Sequence, residues 1–169
     1  MLAFLFRGLT AERPSGDALF SALTEKARQA DWYVEGDVAD TLDGRFAVLA
    51  TVTALALVRL ERDGDAGNRA SVALTERFIT VMESEHRELG LGDPTLGKVV
   101  RKLVGMLARR TELWRSAVAD NADWTAATRE NLYKDTVDPQ PLSYAAEALR
   151  ELWTRLDAAP LEKLLEGKI

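Results

Sequence analysis

Between Arg45 and Arg59 the chain carries no charged residue: residues 46–58 read FAVLATVTALALV. As an α-helix this stretch would measure about 20 Å, well short of the roughly 30 Å hydrocarbon core of a bilayer. A helix that is apolar all round, yet too short to span a membrane, must be surrounded by other parts of its own chain. The rest of the sequence therefore has to supply amphipathic helices that cover it.

Those helices can be read from spacing. After Pro14 and Gly16, a first helix is expected over 17–30, with Leu19, Phe20, Leu23 and Ala27 on its apolar side. A loop over 31–44 follows. Asp40 is read as the cap of the apolar helix, with Asp43 three residues on, and that helix should run to Arg62. The Gly- and Asp-rich residues 63–68 read as a break. A third helix is expected over 70–89, carrying Leu74, Phe78, Val81, Met82 and Leu89, and ended by Gly90 and Gly92. Asp93 then caps a fourth, with Pro94 in its first turn. Its buried face is Leu96, Val99, Val100, Leu103, Leu107, Leu113 and Trp114. A shorter helix is expected over 122–134. Pro139 and Pro141 should break the chain before Ser143 caps a helix bearing Tyr144, Leu149, Leu152, Trp153 and Leu156, and Pro160 opens a last turn. No run alternates as a strand would, and no internal repeat is visible. The expectation is an all-α, irregular, single-domain bundle of six to seven helices over 1–169, with the C-terminal helices in 143–168.

Composition narrows the function. The 169 residues include no cysteine and one histidine, His86, so thiolate zinc sites, iron–sulfur clusters and multi-histidine metal sites are excluded. A formal charge of −5 argues against a DNA-coating protein. Residues 1–9 are apolar apart from Arg7, too short for a secretory signal or a membrane span. A cytoplasmic protein, peripheral at the inner membrane at most, is expected.

The segment WYVEGDVADTLDGRF, residues 32–46, is the least generic in the chain. Trp32 and Tyr33 are large aromatics where a short polar connection would suffice; anchoring to the core is the commoner use of such residues, and partner contact the alternative. Asp37, Asp40 and Asp43 recur every third residue near Glu35, but lack the Asp-x-Asp-x-Asp-Gly order of a calcium loop. Capping and turn roles are the default, with Arg45 pairing one of the carboxylates. Glu83-x-x-His86 has the spacing of a di-iron ligand pair, which would need a second histidine. Met82 and His86 lie one turn apart, as haem ligands can, but a histidine at the core edge is the simpler reading. No catalytic residue, cofactor or metal is therefore assigned.

Charge is arranged less routinely. Glu83, Glu85 and Glu88 crowd a helix C-terminus, and Lys98, Arg101 and Lys102 lie early in the next helix, each against its helix dipole. Pairing across the helical hairpin would explain both; presentation to a partner is the alternative. Arg109, Arg110 and Arg115 extend the basic bias into a candidate docking strip for lipid headgroups, RNA or an acidic protein surface. Gly97 and Gly105 lie on nearly one side of the same helix, where close packing or an approaching partner would account for them.

The WY–G–V–DT–DGRF pattern of 32–46, followed by an apolar helix ending in Arg59-Leu60, resembles the ubiquinol–cytochrome c chaperone family. The resemblance continues at Phe78, at Met82-Glu83, through RELGLGD at 87–93, at Gly97-Lys98, and more faintly at RENLY, 129–133. It spans about 17–133. Ala47 departs from the acidic residue common after GRF, and the tail beyond Asp135 carries no matching motif. The resemblance implies a non-enzymatic assembly factor that holds newly made cytochrome b, or another membrane-protein client, during assembly of ubiquinol–cytochrome c reductase. Mitochondrial relatives also sit near the ribosomal exit with a second small protein; this chain is closer to the bacterial form. On that reading the partner-binding candidates are Trp32, Tyr33, Asp40, Asp43, Arg45, Lys98, Arg101, Lys102 and Arg109, with the groove expected between the central helix and the hairpin of residues 74–113. The competing readings are a general helical adaptor or peripheral membrane protein tethered by residues 1–9 and the basic strip, and an enzyme or haem carrier using His86.

Overall fold

The computed structural model describes residues 16–88, 90, 93–119 and 123–169; the expectations for 1–9, Pro14, Leu89, Leu91 and Gly92 lie outside them. The described residues form α-helices and one 3-10 turn, without a strand: α1 (Asp17–Ala27), α2 (Asp31–Val34), α3 (Leu42–Leu60), a 3-10 turn (Glu61–Asp63), α4 (Gly64–Glu88), α5 (Asp93–Ala119), α6 (Trp124–Leu132), α7 (Pro139–Ala158) and α8 (Leu161–Leu165). The all-α bundle is as expected.

The uncharged helix α3 is its axis. Every residue from Ala50 to Leu60 is buried, because α1, α4, α5, α6 and α7 all pack on it. Its small residues, Ala50, Ala54 and Ala56, leave room for that many neighbours, while Val48, Leu55 and Leu60 are fully enclosed. A fully buried leucine of this kind contributes about 1.5–3 kcal/mol over an exposed one. Arg59 closes the helix. It is 7% exposed, donates from Nε to the Leu156 carbonyl at 3.0 Å and from Nη2 to the Ala159 carbonyl at 2.8 Å, and pairs with Asp63. The guanidinium thereby adds a second donor to the Leu156 carbonyl and supplies one to the Ala159 carbonyl at the C-terminal end of α7.

Helices α1 and α4 run parallel. Gly16 lies against the Ala73 carbonyl, Asp17 pairs with Arg77 at 2.9 Å, and Phe20 meets Phe78 edge-on with centroids 6.4 Å apart. The rising register brings the C-terminal ends of both helices to the same level.

Four expectations are corrected. Thr41, not Asp40, caps α3: its side chain accepts from the Gly44 amide at 3.2 Å. The Gly- and Asp-rich residues 63–68 do not break the chain; only Gly64, at φ 56°, makes the turn, and α4 starts there. Pro139 and Pro141 open α7 instead of interrupting it, since a first turn needs no amide hydrogen from proline; Ser143 lies inside the helix. The expected loop of 31–44 holds the short helix α2, whose exit places Asp37 at φ 49°, a left-handed conformation that aspartate tolerates better than most residues.

Candidate partner-binding surface

The turn from α2 into α3 is built residue by residue from the sequence motif. Trp32, 2% exposed, donates its indole Nε1–H to the Lys26 carbonyl at 2.8 Å. Tyr33 donates its hydroxyl to the Ala27 carbonyl at 3.0 Å. The two aromatics thus occupy the last carbonyls of α1, which its own helix cannot satisfy. Burial of the Tyr33 ring raises its pKa, and the nearby Arg45 charge opposes that shift. Trp32 being enclosed, its part in any docking surface is to position the loop that follows it.

Each residue of DGRF has a separate task. Asp43 pairs with Lys134 at 2.5 Å, which holds its carboxyl below the usual range. Gly44 passes so close to the α2–α3 loop that a Cβ there would lie 1.9 Å from the Ala39 carbonyl oxygen. Arg45 pairs with Asp40 at 2.7 Å and lies over the Tyr33 ring at 5.9 Å; the bond to Arg45 lowers the Asp40 pKa. Phe46 projects between two cavities and lines both.

The larger cavity, ≈ 840 Å³, is a groove bounded by α1, α2, the start of α3 and the end of α4. Phe20, Ala27, Tyr33, Phe46, Leu49, Val81 and Met82 give it an apolar floor, and Val34 and Leu42 stand at its edge. Those two are 72% and 60% exposed, unusual for large aliphatic side chains, and the other strongly exposed aliphatic among the described residues is Val72. The smaller cavity, ≈ 430 Å³, lies between the start of α3, α5 and the α6–α7 connection. There Arg110 donates to the Asn131 carbonyl at 3.3 Å and covers the Phe46 ring at 5.8 Å; desolvation lowers its pKa. The space expected between α3 and the α4–α5 hairpin is otherwise filled by Leu103, Leu107 and Trp114, all buried. The open groove therefore lies on the α1–α2 side of α3.

The basic strip divides in two. Arg109 pairs with Glu130 at 3.0 Å, and Arg115 bonds Glu61 at 2.6 Å and also Glu112; that half is neutralised within the chain. Lys98, Arg101 and Lys102 are exposed, and no ion pair of the described residues joins them to Glu83, Glu85 or Glu88. The expected cross-hairpin pairing is not formed. Packing does not account for Gly97 or Gly105 either, since a Cβ at each would meet nothing within 4 Å. His86 turns its ring back on its own helix, with Nδ1 2.7 Å from the Met82 carbonyl oxygen. Among the described residues no three acidic or histidine side chains converge as a metal site requires.

The sequence reading brought together Trp32, Tyr33, Asp40, Asp43 and Arg45, which do cluster at one turn. Lys98 and Arg101 lie apart from that turn on α5, whereas Lys102 reaches the smaller cavity beside Asp43. The expected groove between α3 and the hairpin of residues 74–113 is found in part, walled on its other side by α1 and α2, which were not foreseen. Val34 and Leu42, at its edge, were not singled out among the several apolar residues of 31–44.

The ubiquinol-cytochrome C chaperone family matches residues 35–169. The chain belongs to this family. The match starts just after the Trp32-Tyr33 pair and runs through α7 and α8. A solved structure, the Cbp3 homolog from Brucella abortus, superposes with a TM-score of 0.80 at 28% identity, over 100% of this chain and 95% of that one. No curated protein matches the chain. Arg45 and Phe46 of the DGRF turn line one end of the open groove. No helix of the described residues is long and apolar enough to cross a membrane.

Proposed function

We propose that the protein is a non-catalytic chaperone that holds newly made cytochrome b during assembly of ubiquinol–cytochrome c reductase, working at the cytoplasmic side of the inner membrane. Family membership and the likeness to the Cbp3 homolog support a complex III assembly chaperone. The observation that carries the client reading is the ≈ 840 Å³ groove with exposed Val34 and Leu42 at its edge. A client whose apolar helices await insertion offers the surface such a groove can cover, as amphipathic helices do in other groove-binding proteins.

The test is a crosslinked, detergent-solubilised pull-down of the tagged protein from its native host. Enrichment of cytochrome b over other abundant membrane proteins is the expected result. Its absence, with lipid or unrelated proteins recovered instead, would favour the second reading, a peripheral membrane adaptor. The observation behind that reading is the exposed trio Lys98, Arg101 and Lys102, suited to anionic headgroups.

A further inference from the structure

The apolar groove is electrically lopsided. Glu85 and Glu88 line it from α4; both are exposed, and neither has an ion-pair partner among the described residues. The parallel packing of α1 and α4 brings two helix C-termini to the same end of the groove, and each adds partial negative charge there. Asp40 and Arg45 cancel one another on the opposite wall at 2.7 Å. Arg28, the remaining cation of the lining, sits at the C-cap of α1, where it offsets that helix's own dipole. The end of the groove near Glu85 and Glu88 is therefore left acidic beside an apolar floor.

We infer that the groove takes an apolar helix whose end bears lysine or arginine, seated with that basic end against Glu85 and Glu88. This rests on the client reading above and gives the client a polarity. Segments destined for a membrane commonly carry Lys or Arg just beyond the apolar stretch on the cytoplasmic side, so apolar floor and acidic end together select such a segment by its flank as well as its hydrophobicity. Glutamates at the end of α4, unfavourable to their own helix, become favourable once a cation docks.

The test is fluorescence anisotropy with two labelled Leu/Ala helical peptides, identical except for a Lys-Lys or a Glu-Glu end. The full chain is titrated as wild type, as Leu42→Asp and as Glu85→Gln/Glu88→Gln. The Lys-Lys peptide should bind the wild type about fivefold more tightly than the Glu-Glu peptide at low salt, as two exposed ion pairs allow. The preference should fade near about 0.5 M salt and vanish in the double-glutamine variant, while both peptides should weaken with Leu42→Asp. Equal binding of the two peptides, still weakened by Leu42→Asp, would overturn the polarity and leave the client groove standing. Binding of neither peptide, or binding indifferent to Leu42→Asp, would overturn both readings. Dimerisation through the groove, or equally tighter binding of both peptides after deletion of residues 2–9, would assign the groove to a second copy or to the chain's own apolar segment and also overturn the inference.

Discussion

Tyr133 donates its hydroxyl to the Gly36 carbonyl at 2.5 Å, tying the end of α6 to the turn that follows α2. The two residues are far apart in sequence, yet both belong to motifs singled out in the sequence, RENLY and WY-x-x-G. The weaker motif is thus a brace for the stronger one. Burial, and secondarily the charge of Asp37, pushes the Tyr133 pKa up to about 12.

The consequence is a pH dependence with a defined sign. Below pH 10 the tyrosine is neutral in both folded and unfolded chains, and its contribution is fully present. Between pH 10 and about 12 the unfolded chain loses the proton first, so stability falls as pH rises. Because the ring is only half-buried, solvent screening limits the loss to about 1 kcal/mol. Tyr133→Phe should remove this alkaline step, and cost about 1–2 kcal/mol at neutral pH by leaving the Gly36 carbonyl unpaired. Denaturant unfolding at a series of pH values measures both effects.

Gly44 should not tolerate a methyl group. With the Ala39 carbonyl oxygen 1.9 Å from where a Cβ would lie, Gly44→Ala must push the α2–α3 loop away from α3. A loss of about 1–3 kcal/mol is expected, read as a lowered Tm, although alanine is the better helix former. A neutral or stabilising outcome would show that the loop can move freely.

Replacing Arg59 should be more costly. Arg59→Met keeps much of the side-chain volume but strands the Ala159 carbonyl, takes one of two donors from the Leu156 carbonyl and leaves Asp63 without its cation. About 3 kcal/mol of stability should be lost, measurable by chemical denaturation.

Gly97 and Gly105 predict the opposite sign. Both sit within α5 facing open space, so alanine at each should stabilise the chain by about 0.5–1 kcal/mol. Calorimetry of the single and double variants checks this. Stabilisation would mean that the native sequence accepts a loss at these positions that packing within the chain does not explain.

The helices were legible because their apolar residues recur at helical spacing. Leu74, Phe78 and Met82, or Leu149, Leu152 and Leu156, are buried as that spacing requires. The errors arose where a residue's local habit was outweighed by its place in a turn. Pro139 and Pro141 read as breakers, but the opening turn of a helix is the one place where they are harmless. Asp40 read as a cap, yet Arg45 engages its carboxylate and leaves the capping to Thr41. The motif residues of the candidate surface could be picked out from sequence, but their division of labour could not. Trp32 and Tyr33 cap α1 from a later turn, and the groove is assembled from four separate elements, α1, α2, α3 and α4, with Val34 and Leu42 at its edge. Long-range arrangements of this kind have no signature in local spacing.

The central claim is that the groove beside Phe46 receives the client. The most direct measurement places a photo-crosslinking amino acid at Leu42, which is already 60% exposed, and at exposed Glu147 on α7 as a control, in cells making ubiquinol–cytochrome c reductase. The account predicts ultraviolet-dependent crosslinks to cytochrome b from position 42 and not from position 147. Crosslinks to cytochrome b from position 147 alone, or from neither position in cells that assemble the complex normally through this protein, would contradict it.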